Sequence, residues 1–152
     1  MKTFFVFLVF AILFTGCANK NAFSRFNMSE KQELGADSIS NSKIKMGDKT
    51  RGVLSAAYLN KVFPETYGED EYFYAYCYLK DKKATPYFTL NGQKAISIQE
   101  LPASNQFTHL TSVDAKWNKY YLIRFAKQGD ILKFSLESGQ SSSGLLVFEK
   151  DE

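Results

Sequence analysis

Four tyrosines stand two residues apart in the run EYFYAYCYLK at positions 71–80. Successive side chains of a β-strand point to opposite faces, so Tyr72, Tyr74, Tyr76 and Tyr78 share one face and Phe73, Ala75, Cys77 and Leu79 the other. Tyrosine gives large, rigid contact area with a polar tip, and a row of four suits a protein or glycan partner. These four form the candidate binding face. The same spacing is met if the rings pack across strands or lie beneath the segment preceding the domain, and both arrangements stay open. The opposite set is apolar and makes a core face, on which Cys77 is a small buried hydrophobe rather than a nucleophile.

Other residues capable of chemistry lack the company it requires. His109 is the single histidine, and one imidazole without a thiolate cluster falls short of the three or four ligands zinc takes. No G-x-S-x-G occurs, and His109 alternates with Phe107, Thr111 and Val113 as on a strand, so no catalytic residue is assigned. The segment PETYGEDE gathers Glu65, Glu69, Asp70 and Glu71 without the Asp/Asn spacing of calcium loops, and reads as a solvated acidic turn. The tract GQSSSG at 139–144 has neither the lysine nor the following helix of a phosphate loop, and reads as a flexible hairpin loop. The expectation is binding without catalysis, with no metal and no cofactor.

Composition narrows the partners. The chain has 152 residues, a formal charge of +3 and a pI near 8.7. That is too mild for nucleic acid, where a domain pI above about 9 with clustered basic residues is expected. The length predicts one domain, since a domain takes roughly 100–200 residues.

The N-terminus is an address. Lys2 is followed by an uncharged stretch, Thr3–Phe14, holding five phenylalanines. It is shorter than the roughly 20 apolar residues of a membrane-crossing helix and ends in small residues, as secretory signals do. Leu13-Phe14-Thr15-Gly16-Cys17 resembles the lipobox of bacterial lipoproteins, with Phe14 where leucine is commonest. The resemblance implies cleavage before Cys17, a diacylglycerol thioether on that cysteine and N-acylation of the new terminus. With Ala18 rather than aspartate following, it also implies outer-membrane sorting, the face undecided. Two or more acyl chains anchor stably, where one binds marginally.

Residues 1–16 are thus a signal peptide, 17–50 a lipidated cysteine and polar tether, and 51–152 the folded domain. Removing the signal lowers the formal charge from +3 to +2, because only Lys2 is lost. With Cys17 lipidated, Cys77 is the one cysteine left, so no disulfide forms within the mature chain and stability rests on the core. In the tether, Ser29 with Gln32 is a capping-box pattern for a turn over Met28–Leu34, and Phe23, Phe26 and Ile44 either stay free or pack on the domain.

From Thr50 onward, short apolar runs alternate with turn residues. Val53–Phe63 is the most helix-like. Strands are expected at Glu71–Lys80, Tyr87–Leu90, Lys94–Leu101, Phe107–Val113, Trp117–Ala126, Ile131–Glu137 and Leu145–Glu149, with Asn91-Gly92 as a hairpin turn. The spacing predicts an all-β fold, an antiparallel sandwich of about seven or eight strands. Trp117 on a central strand resembles the buried tryptophan of immunoglobulin-like domains, without their paired cysteines. The function expected is a lipid-anchored binding or adhesion module at the cell surface. The alternative is a periplasm-facing accessory subunit offering a β edge to its complex.

Overall fold

A computed structural model describes residues 38–111 and 113–150. The signal peptide, Cys17, Phe23, Phe26 and the capping-box turn at 28–34 lie outside the described residues. The fold is all-β and antiparallel throughout. Among the described residues, ten strands run in chain order: β1 Ile39–Met46, β2 Lys49–Tyr58, β3 Glu71–Leu79, β4 Tyr87–Leu90, β5 Gln93–Lys94, β6 Ser97–Leu101, β7 Lys119–Phe125, β8 Ile131–Ser138, β9 Ser141–Ser143 and β10 Leu146–Glu149. Two single-turn helices interrupt them, α1 Leu59–Val62 and α2 Thr108–Thr111.

Turn chemistry sets the hairpins. Asn91 and Gly92 both have positive φ, 50° and 79°, which is what a two-residue turn matching the strand twist demands. The β1–β2 hairpin turns at Gly47-Asp48, and a register shift between Ile44 and Lys45 bends its first strand. Hydrogen bonding then follows the order β5-β4-β8-β9-β1-β2-β3-β7-β6, with β10 added on β8. The strands at the two ends of that path are separated in sequence by Ala95 and Ile96 alone. One bent segment therefore pairs with β4 through its first half and with β7 through its second. The sheet is a curl whose ends are joined covalently.

Inside the curl, Phe73 packs on Phe134 (4.8 Å between ring centroids) and Phe148 (5.3 Å), with Phe88 against Tyr121 at 5.2 Å. Leu54, Ala75, Cys77, Ile123, Leu132 and Leu136 fill the rest of this core. A second, smaller core lies on the outer side of β3 and β7. There Leu59 and Val62 of α1, and Phe107 and Leu110 at α2, cover Tyr74 and Tyr120.

Several expectations change on this framework. The sheet begins at Ile39, inside the stretch assigned to the tether, and Ile44 is fully buried in the core. The helix-like run at 53–63 is mostly strand, because Leu54, Ala56 and Tyr58 alternate inward along β2 and only Leu59–Val62 turns helical. Phe107–Val113 is not a strand: Asn105 accepts from the Phe107 amide at 2.9 Å and donates its own amide to Thr108 Oγ1 at 3.0 Å, starting a helical turn. The Ser/Gly tract is not a loose loop, since Ser141–Ser143 pairs with both β8 and β1. Trp117 is 70% exposed in the turn before β7 rather than buried on a central strand.

Candidate functional site

The strand bearing the four tyrosines folds with the alternation expected. Phe73, Ala75, Cys77 and Leu79 enter the inner core, and burial pushes the Cys77 thiol up to about 12. The tyrosines do share the outer face, but it is not an open platform. Tyr74 is fully buried, with Phe107 at 5.0 Å and Tyr76 at 6.0 Å between centroids, and Asn105 Nδ2 donates to its hydroxyl at 3.4 Å. Tyr72 and Tyr76 are half-buried, and only Tyr78 is exposed, at 41%. Among the described residues, the chain covering them is α1 and the segment around α2. Tyr74 packs in the outer core, while Tyr78 and parts of Tyr72 and Tyr76 reach solvent.

A different place gathers polar groups. Where β2 runs into α1 and β3 begins, a cleft of about 480 Å³ is lined by Tyr58, Asn60, Lys61, Tyr67, Glu69, Glu71, Lys127 and Lys150, with Pro64 and Gly68 at its edge. Asn60 builds one wall. Its Nδ2 donates to the Asp70 carbonyl at 2.6 Å and its Oδ1 accepts from the Tyr72 amide at 2.8 Å, which closes the acidic loop onto the start of β3. The Tyr67 ring rests on Tyr72 at 4.8 Å. Asp70 also lies 3.1 Å from Arg124 Nε, an ion pair by distance in which that nitrogen is not aligned for a hydrogen bond.

Glu71 is the floor of the cleft and is only 1% exposed. Oε1 accepts from the Lys150 ammonium at 2.6 Å and from the Gln128 amide at 2.8 Å, while Oε2 accepts from the Tyr58 hydroxyl at 2.6 Å. Lys150 also donates to the Gln128 carbonyl at 2.8 Å. Burial alone would raise the Glu71 carboxyl. The Gln128 amide, Lys150 and Tyr58 outweigh it, and the group ionises below its usual range. Burial, then the bond to Glu71, drives the Tyr58 hydroxyl upward. A carboxylate held by three donors is a poor general base, since a proton it accepts must displace one of them. Its chemical capacity is to fix the cleft and present Lys150 there as a partly neutralised cation.

Of the acidic run, therefore, one member is buried and paired rather than solvated. The signal for this was present: Glu71 falls in phase with Phe73 and Ala75 on the inward face of β3. Lys150 carried no such signal, lying 79 positions away. His109 is exposed on α2 and is not among the residues that line the cleft. Among the described residues, no group of three or more His, Cys, Asp or Glu could hold a metal ion, and no helix is long and apolar enough to cross a membrane. Compared with known proteins, the chain matches no family model, no curated protein and no solved structure.

Proposed function

We propose that this chain is a lipid-anchored outer-membrane lipoprotein whose domain binds a protein or glycan partner without transforming it. The observation that carries the binding reading is the cleft at the Glu71 end of the sheet. Its walls combine a phenol ring (Tyr67), an amide (Asn60) and ammonium groups (Lys61, Lys127, Lys150) around a carboxylate already engaged by its own fold. That mixture serves recognition of a polar partner better than proton transfer.

The lipid anchor rests on the lipobox-like Cys17. Ser38, the first described residue, lines a shallow groove that shares Tyr58 and Lys61 with the cleft. The chain arriving from Cys17 so joins the domain beside its recognition site. The proposed polar tether, residues 17–37, would be the 21 residues between the cleavage site and Ser38.

Within the all-β fold we propose an immunoglobulin-like sandwich. It is supported by the two-sided packing within the curl, β3 and β7 facing β4, β8 and β10 through Phe73, Phe134, Phe88 and Tyr121. A periplasm-facing accessory role is the second reading, favoured by the outer edge of β6, which has no strand partner among the described residues.

Metabolic labelling with a palmitate analogue is the test of the anchor. The wild type should take up label and migrate as the mature form, and Cys17→Ala should remain an unlabelled precursor. Equal labelling of the variant would sink the lipoprotein reading. Protease treatment of intact against permeabilised cells then separates surface display from a periplasmic role.

A further inference from the structure

We infer that the gap between β4 and β6 is a strand-addition slot, taking an extended peptide segment of a partner protein that carries an apolar residue and a basic residue two positions apart. The gap follows from the bend at Ala95-Ile96. The segment pairs with β4 only at Thr89–Lys94 and Leu90–Gln93, then leaves it, and Ile96 donates instead to the Arg124 carbonyl of β7 at 2.8 Å. Tyr87 and Phe88 of β4 are thereby left with β8 on one side alone, and β6 with β7 on one side alone, among the described residues. Two unpaired strand edges diverge around an apolar hollow of about 430 Å³ lined by Tyr87, Phe88, Lys94, Ala95 and Ile98.

The inner face of β6 specifies what would enter. Ile98 pairs with Ile123 and Glu100 with Tyr121, and both partners point into the core, so Ile98 and Glu100 point inward as well. Yet Ile98 is 43% exposed and Glu100 is exposed, because the neighbouring strand that would cover them is missing from the gap. A strand laid along β6 would satisfy its open backbone groups and set its own inward side chains directly beside these two. The residue beside Ile98 must be apolar, to fill the hollow against Phe88. The residue beside Glu100 must be cationic, because this carboxylate has no ion-pair partner among the described residues and a like or neutral neighbour would leave it desolvated and unpaired. The same inward carboxylate disfavours pairing with an indiscriminate apolar strand, as charges placed on edge strands do.

The test uses the full-length chain in detergent micelles and two capped nine-residue peptides of alternating threonine and valine, one with lysine and one with glutamate two positions after the central valine. The lysine peptide should slow amide exchange at Ser97–Leu101 and at Tyr87–Phe88 while the β1–β2 hairpin is unchanged. It should bind the wild type about three-fold more tightly than the glutamate peptide, the scale of an exposed ion pair. Glu100→Lys should reverse that order, and this reversal reads charge at the slot with no demand on the stability of the fold. Absence of binding, protection elsewhere, or an order unchanged in Glu100→Lys overturns the proposal. So does protection of β6 in peptide-free protein that disappears on dilution or on cleavage before Ser38, which would assign the slot to a second copy or to the chain's own N-terminal segment. None of these outcomes depends on Cys17 lipidation or on the cleft.

Discussion

Lys150 reaches across 79 positions of sequence to place its ammonium 2.6 Å from the buried carboxylate of Glu71. The contact joins the end of the described chain to the first residue of β3, and with the Gln128 carbonyl it fastens the loop between β7 and β8 to the same point. Removing the negative charge strands a cation that is only 21% exposed. Glu71→Gln should cost about 2–3 kcal/mol, less than for a wholly buried pair because Lys150 retains some water. The pH dependence has a definite sign. Glu71 ionises more readily in the folded chain than at its ordinary value of 4.5, so its contribution is present above that pH and is lost as pH falls through the lower folded value. Urea midpoints measured from pH 7 downward should fall more gently in Glu71→Gln than in the wild type. Parallel slopes would exclude Glu71 as a source of acid lability.

The tyrosine row should divide by burial rather than act as a unit. Tyr74→Ala empties a site enclosed by Phe107, Tyr76 and Tyr120 and should cost about 3–5 kcal/mol, as large aromatic truncations in cores do. Tyr78→Ala should stay within about 0.5 kcal/mol of wild type, as surface changes do. Replacing Tyr74 and Tyr76 together by serine should lower the thermal midpoint before it touches any binding. Thermal melts of these variants settle the matter, and equal costs at positions 74 and 78 would contradict the outer core.

How far these arrangements were legible in the sequence follows from the range of each signal. The period-two pattern of β3, the Asn91-Gly92 turn and the apolar runs of β7, β8 and β10 were readable because strand alternation and turn chemistry are local. Strand β1 was hidden: in ISNSKIKM only Ile44 is fully buried, and a half-exposed strand rich in Ser, Asn and Lys looks like linker. Burial of the tyrosine face was equally out of reach, since its cover comes from α1 and α2, whose positions depend on tertiary contacts. The gap beside β6 turns on a two-residue bend within what reads as one continuous strand. Glu71 was half legible, its inward phase visible and its cation not.

Gly52 marks a close approach of β2 to β3. A methyl group built there would run into the Tyr78 carbonyl oxygen, with Ile44 Cδ1 at 3.3 Å on the other side. The obstacle is backbone and cannot swing aside. Gly52→Ala should therefore destabilise by about 3 kcal/mol, the upper part of the range for overpacking, although alanine is otherwise harmless in a strand. Denaturant unfolding measures it. A variant as stable as wild type would mean that β2 and β3 separate at this point without cost.

Alkaline behaviour provides a check on the two cores together. Burial raises the hydroxyls of Tyr58, Tyr74 and Tyr121 above the ordinary value of 10.0, Tyr74 to about 12, with Glu71 adding to the effect at Tyr58. A raised folded value means that the contribution is fully present below pH 10 and is lost as pH climbs through the folded values, because the unfolded chain gives up those protons first. Phenolate absorbance from these three rings should consequently rise only as circular dichroism reports loss of the sheet. Cys77 should follow the same transition: its thiol, pushed up to about 12 and enclosed by the inner core, should resist thiol reagents until the sheet opens. Complete ionisation of all nine tyrosines near pH 10 with the β spectrum intact would show that neither core excludes water as described.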